Sequence, residues 1–405
     1  MKFVLQLLIL SIFFVQCTDI DKDQVKISGK ITNPVAGEVS IYNQDTTFIG
    51  KVDSSGYFEL SFHLDSSQYF NFVHGAESTG MYVQPGNTIS ISINTELFDE
   101  TIYYKGSPAS NFLANKYLKE EQTNFYSEAY YIGSSETYQS FLRNYQKSLY
   151  DELGAISDQS FVAIQQKNIE DDIERLIKKQ ATTSKLDNTV KRFLFKKDEL
   201  DQEINFYSEF YTLTPEEFER LLNQYEQQLK DLIASVKDHQ FAKEQSELLT
   251  KTLTLWQSRL ELKRAVPKTG ELAKDFSYPS IQGDSLSLSS FKGKLVYVDI
   301  WASWCRPCLA EIPALKQLEH DYRDSNIVFI SVSVDDEKTE WKEAVAHHQL
   351  NGIQLWANGW SDITDNYAIL MIPRFMLFDR NGKVIDTMAP RPSSDKIRTL
   401  IESYL

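Results

Sequence analysis

The segment Trp304-Cys305-Arg306-Pro307-Cys308 constrains this chain more than any other stretch of it. It follows the apolar run Leu295-Val296-Tyr297-Val298-Asp299-Ile300-Trp301 and precedes Leu309-Ala310-Glu311-Ile312-Pro313, so a buried strand gives way to a helix at this point. Two thiols separated by two residues at such a junction are placed to form and break a disulfide with each other. A bridge closing so short a loop restrains little of the unfolded chain and adds little stability, so redox chemistry, not stapling, accounts for it.

The only other cysteine is Cys17, which closes residues 1–17: one positive charge, then an apolar run too short to span a bilayer. This is the pattern of a signal peptide. Its ending resembles the lipobox of bacterial lipoproteins, in which the thiol receives diacylglycerol and becomes the mature N-terminus. The preceding Phe14-Val15-Gln16 depart from the usual small residues. The resemblance implies lipidation at Cys17, export to the cell envelope and tethering on the periplasmic side. A signal peptide or uncleaved anchor that happens to contain a cysteine is the alternative. The acidic residues of Thr18-Asp19-Ile20-Asp21-Lys22-Asp23 point toward surface display. With a net charge of -15, neither nucleic acid nor a polybasic membrane patch is expected.

A chain of 405 residues is expected to divide into two or three domains. Residues 18–106 read as a small antiparallel β domain: Val25 to Ile31 alternates, Phe48 to Val52 leads into the turn Asp53-Ser54-Ser55-Gly56, and Tyr57 to Phe62 and Thr88 to Ile93 alternate again. The layout is similar to a domain of unknown function often found N-terminal to thioredoxin-like domains in Bacteroidota lipoproteins. His63 and His74 stand alone there, as structural or surface residues. Residues 107–266 change to helical spacing, for a bundle of about five or six helices. Thr214, Pro215 and Glu217 form a capping-box signature, followed by one apolar face from Phe218 to Val236. Further faces run through Ile169, Ile173, Leu176 and Ile177, and from Phe241 to Leu260.

Ala265 to Asp275 is the expected linker into a last domain at 267–405, where strands and helices alternate before a hairpin at Asp379-Arg380-Asn381-Gly382 and a final helix from Ser394. That is a mixed α/β sheet. With WASWCRPC after its first buried strand and Ile372-Pro373 before a later one, it looks like the thioredoxin fold. Its closer likeness, over Ala273 to Leu405, is to the TlpA/ResA group of thiol-disulfide oxidoreductases: a Trp-Cys-x-x-Cys site, a glutamate three residues after the second cysteine and an Ile-Pro ahead of the third strand.

Cys305, at a helix N-terminus and beside Arg306, is expected to be the nucleophile; Cys308, one turn on and more buried, resolves the mixed disulfide. Pro307 suits a first turn. By resemblance to the buried aspartate of thioredoxins and the glutamate of the TlpA/ResA group, Asp299 and Glu311 are both candidates for the carboxylate that takes the proton of Cys308, and the choice between them stays open. By resemblance Pro373 is a cis-proline beside which a substrate segment pairs, with Ile372 next to it. Arg374 replaces a small hydroxylated residue and, if exposed, places a second cation near Cys305, favouring acidic partners. Trp304 is expected beside the site and Trp301 beneath it. Ala389-Pro390-Arg391-Pro392-Ser393 has no role readable from its residues.

The reading is a membrane-tethered reductant or isomerase of disulfides in exported proteins, re-reduced by a membrane electron donor of thiol-disulfide type and needing no cofactor. Zinc is disfavoured because two cysteines supply only two ligands and His347-His348 lies on another helix. A peroxiredoxin needs a threonine where Ala302 stands. The non-enzymatic alternative is a binding lipoprotein whose last domain is a redox-inert scaffold.

Overall fold

The computed structural model describes residues 22–75 and 77–405; Cys17 and the leader-like segment lie outside the described residues. The chain forms two compact units, Met1–Leu118 and Lys119–Leu405.

In the first unit the described strands are β1 (Gln24–Thr32), β2 (Glu38–Tyr42), β3 (Thr47–Lys51), β4 (Tyr57–His63), β5 (Gln68–His74), β6 (Glu77–Val83), β7 (Thr88–Asn94) and, after the short helix α1 (Phe98–Thr101), β8 (Tyr103–Lys105). They make two four-stranded sheets, β4-β1-β7-β8 and β3-β2-β5-β6. Alternation drives this: Ile89, Ile91 and Ile93 of β7 all point into the core, where they join Val25, Ile27, Phe58 and Phe72. The domain departs from a purely antiparallel one in a single respect, since β1 runs parallel to β7. Gly56 has φ +80 in the β3–β4 turn, and a Cβ there would stand 2.1 Å from the Ile31 carbonyl oxygen. His74 is buried and structural. Its Nε2 accepts from the Val35 amide at 3.0 Å, so the neutral ring donates from Nδ1 to the Glu38 carbonyl, and burial lowers its pKa. Helix α2 (Pro108–Gln122) follows β8.

The second unit begins with helices α3 (Glu128–Tyr131), α4 (Ser135–Leu153), α5 (Gln159–Thr183), α6 (Asn188–Glu203), α7 (Phe206–Thr212), α8 (Pro215–Ala234) and α9 (His239–Arg264). Counting α2, six helices are long, and the short α3 and α7 are additional to the five or six expected. The capping box of α8 is formed: Thr214 accepts from the Glu217 amide at 3.2 Å and Glu217 accepts from the Thr214 amide at 2.8 Å, an arrangement worth about 1 kcal/mol. Phe218, Leu222, Tyr225, Leu229 and Ile233 are the buried stripe of α8. Among the described residues no helix is long and apolar enough to cross a membrane.

After α9 the chain runs along the far edge of the last sheet, the Gly270 amide donating to the Val384 carbonyl. A hairpin, β9 (Ser277–Pro279) and β10 (Ser285–Ser287), leads to β11 (Leu295–Trp301), α10 (Arg306–Asp321), β12 (Ile327–Ser333), α11 (Lys338–His347), β13 (Ile353–Trp356), α12 (Asp362–Asn366), β14 (Arg374–Phe378), β15 (Val384–Asp386) and α13 (Asp395–Glu402). The sheet order is β13-β12-β11-β14-β15, with β11, β12 and β13 parallel and β14 antiparallel to β11. Every residue of the central β11 is buried because both faces are covered. Val296, Val298 and Ile300 face one apolar cluster, while Leu295 and Tyr297 face another made with Leu318, Ile397 and Ile401. β13 and the β9–β10 hairpin are additional to the expected element order.

The helices and this α/β domain share a core. Phe210 of α7, Phe218 and Leu222 of α8, and Trp256 and Leu260 of α9 form one apolar cluster with Ala368, just beyond α12.

Candidate active site

Where β11 leaves the sheet, Cys305 becomes the N-cap of α10, its Sγ accepting from the Cys308 amide at 3.2 Å. Cys305 and Cys308 are joined by a disulfide, with Cα atoms 5.2 Å apart. Pro307 lies in the first turn, where no intrahelical donor is lost. The two cysteines are equally enclosed, each 4% exposed, so Cys308 is not the more buried of the pair in this oxidised form. Trp304 is 58% exposed and presents its ring to solvent, whereas Trp301 is buried as expected. Arg306 is exposed at the first helical position.

The loop in front of the cysteines is tied down by a residue that the sequence reading passed over. Asp335, fully buried just past the end of β12, accepts from the Ser303 amide at 3.0 Å and from the hydroxyls of Ser303 at 2.7 Å and Ser333 at 2.6 Å. Its backbone carbonyl accepts from the Trp356 indole at 2.8 Å. The available signal was position: an aspartate just past the C-terminal end of a parallel strand, where α/β sheets carry their sites.

The two candidate carboxylates, Asp299 and Glu311, are both buried. Asp299 lies mid-strand in β11, opposite Ser331 of β12 and Phe375 of β14. Burial raises its pKa to about 8; the Ser331 hydroxyl opposes this, and the negative charges of Glu311 and Glu319 push the same way. Glu311, in the first turns of α10, is buried too, yet well partnered. Its Oε2 accepts from the Ser393 amide at 3.1 Å, its Oε1 from the Ser393 hydroxyl at 3.0 Å, and Arg391 lies 3.5 Å away. The loop Ala389 to Ser393, opaque in the sequence, is therefore what holds Glu311. Tyr297 fastens the same loop by donating to the Pro390 carbonyl at 2.7 Å. Further down α10, burial raises Glu319 to about 7, and its Oε2 has no hydrogen-bond partner among the described residues.

The Ile372–Pro373 peptide bond is cis. Ile372 packs against the apolar cluster that contains both cysteines. The register of β14, with Arg374 opposite Ile300, brings this turn beside the end of β11. The condition of exposure set for Arg374 as a second cation is not met. It is 9% exposed, because the helical region supplies a face for it: the guanidinium carbon lies 4.3 Å from the ring centre of Tyr211 in α7. The Tyr211 hydroxyl also accepts from the Leu370 amide at 2.6 Å, three residues before Pro373. No sequence signal marked Tyr211.

Residues 269–387 match the AhpC/TSA family. Among curated proteins, the thiol-disulfide oxidoreductase ResA of Bacillus thuringiensis subsp. konkukian is 26% identical over 136 residues, which are 34% of this chain and 76% of that protein. A crystal structure from Bacteroides vulgatus, provisionally assigned as a thiol-disulfide oxidoreductase, is 38% identical; the match covers 34% of this chain and 97% of that one, with a TM-score of 0.33. The thioredoxin domain of a second Bacteroides vulgatus thiol-disulfide oxidoreductase is 28% identical over the same shares, 34% and 97%, with a TM-score of 0.31. Over this region the chain is similar to the AhpC/TSA family and to ResA thiol-disulfide oxidoreductases, in line with a TlpA/ResA-like oxidoreductase domain at its C-terminal end.

Proposed function

We propose that the protein is a membrane-tethered thiol-disulfide oxidoreductase that reduces or isomerises disulfides of exported proteins through Cys305 and Cys308. The observation that carries this is the Cys305–Cys308 disulfide at the N-cap of α10, beside the cis Ile372–Pro373 turn. In the reduced form the Cys305 thiolate, favoured by the helix N-terminus and Arg306, attacks one sulfur of a partner disulfide. That S–S bond breaks, a mixed disulfide forms and the first partner thiolate leaves. Cys308, deprotonated by Asp299 or Glu311, then attacks Cys305 Sγ and displaces the second partner thiolate. Two electrons pass to the partner, and the chain is left with its own disulfide. Asp299 suits the proton step because a carboxyl near pKa 8 accepts and returns protons close to neutral pH.

Pro373 and Ile372 present backbone to the incoming segment, and exposed Trp304 gives it an apolar contact. Re-reduction needs a thiol donor, which for a chain lipidated at Cys17 and held on the periplasmic side would come from a membrane thiol-disulfide carrier. The division into a leader at 1–17, a β domain at 18–106, a helical domain at 107–266 and the redox domain at 267–405 belongs to the same proposal.

The test is trapping in cells. A Cys308→Ala variant should accumulate mixed disulfides with exported proteins through Cys305, and Cys305→Ala should not. Recovery of no covalent partner with Cys308→Ala would overturn the assignment.

A further inference from the structure

Between the helices and the edge of the last sheet lies a cavity of about 410 Å³, within the size range of ligand pockets. Its walls include Phe210 and Tyr211 of α7, Lys263 at the end of α9, Lys268, Arg374 of β14 and Asp386 of β15. Its charge is one-sided. Arg264 also lines it but is committed to Glu219 and Glu261 at 2.8 and 2.6 Å, and Lys263 donates to the carbonyls of Phe210 and Leu213. Arg374 is different. It is 9% exposed, stacked on Tyr211, and among the described residues no carboxylate lies within ion-pair distance of it. The one carboxylate in the wall, Asp386, accepts from the Met388 amide at 2.7 Å. The guanidinium is hydrogen-bonded to Tyr211 and feels the charge of Asp386 without forming an ion pair with it, so a carboxylate that enters the cavity and pairs with it directly is favoured. Lys268, exposed at the rim, adds a second positive charge.

We infer that this cavity is a carboxylate-binding site, with Arg374 as its anchor and Lys268 at its rim, and that its ligand is an acidic side chain of the disulfide-bearing partner. The identity of that partner rests on the oxidoreductase reading. Arg374 directly follows the cis-proline, so a segment lying along the Ile372–Pro373 turn passes next to the anchor. The planar fork of arginine suits a carboxylate, and the aromatic wall of Phe210 and Tyr211 suits the methylenes of a glutamate. The helical region is then part of the substrate site, since without Tyr211 the anchor has no face to lie on.

Calorimetric titration of the oxidised full chain tests this, using a capped octapeptide with two glutamates, its glutamine counterpart, and succinate. The glutamate peptide should bind at least tenfold more tightly than the glutamine peptide and than succinate. Arg374→Gln should weaken it at least tenfold and Lys268→Gln several-fold, while Asp386→Asn, which removes the opposing charge, should tighten it several-fold. Should Arg374→Gln fail to fold, the opposite signs at Lys268 and Asp386 carry the test. Equal binding of the two peptides, or no effect of these charge changes, overturns the site. Succinate binding as tightly as the peptide overturns the partner side chain as its ligand. Because binding is read without turnover, a separate assay of the wild-type protein on a carboxylate-free aromatic disulfide reports on the redox reading alone.

Discussion

Ser393 gives both its amide and its hydroxyl to the carboxylate of Glu311, at 3.1 and 3.0 Å. A loop separated in sequence from the cysteines thereby fixes the carboxylate that stands one turn beyond them. Ser393→Ala deletes one hydrogen bond to a buried charged group, a change worth about 1.5–3 kcal/mol. Equilibrium unfolding of the oxidised protein should register that loss, and an unchanged denaturant midpoint would count against the bond.

Asp299 predicts a pH dependence of stability with a definite sign. Its pKa is about 8 when folded against a usual value of 3.8, so between these limits the folded chain holds a proton that the unfolded chain has lost. Stability contributed by this group is full below the unfolded value, declines by up to about 1.4 kcal/mol per pH unit as pH rises, and levels off above about 8. Glu319, raised to about 7, acts in the same direction. Asp299→Asn should therefore be relatively more stable at about pH 9 than at about pH 5, measured as midpoint differences from the wild type. A variant whose difference does not move with pH would contradict the buried carboxyl.

Removing the acceptor under the Cys305 loop should be among the costlier single changes. Asp335→Ala strands the Ser303 amide and the Ser333 hydroxyl, at about 1–3 kcal/mol each, in a site with no exposure. Asp335→Asn keeps one acceptor oxygen and should lose less. Thermal unfolding of the two variants should rank them in that order.

Tyr211→Phe keeps the ring under Arg374 and removes the hydroxyl that accepts from the Leu370 amide and bonds the Arg374 side chain. Hydrogen exchange at Leu370 should accelerate while the amides of β11, paired on both sides, stay protected. Equal protection of Leu370 in both proteins would mean that the hydroxyl does not secure the turn.

What could be read from the residues alone was whatever a local pattern encodes. Alternation placed β1, β4 and β7, the Thr214 capping box placed α8, and the apolar run before Cys305 placed β11. β13 escaped because Ile353 to Trp356 is short, and only its parallel pairing with β12 makes it a strand. The parallel pairing of β1 with β7 likewise joins distant segments and has no local signature. The cysteine pair was visible because residue type and spacing carry its chemistry, whereas Asp299, Glu311 and Pro373 were named through the family resemblance. Their partners were not: Ser393, Arg391 and Asp335 are ordinary polar residues whose importance comes from what they touch. Whether Arg374 was exposed could not be read for the same reason, since it packs on Tyr211 of a helix far upstream.

The contact between Tyr211 and the turn before β14 also bears on how the redox domain can be handled. A fragment cut at the end of α9 would keep the whole five-stranded sheet, yet Ala368 and Leu370 would lose the aromatic cluster that covers them and the Leu370 amide would lose its acceptor. Arg374 would then swing free as a solvated cation next to the cis turn. Specificity measured on such a fragment would belong to a different surface from the one the intact chain offers its partners.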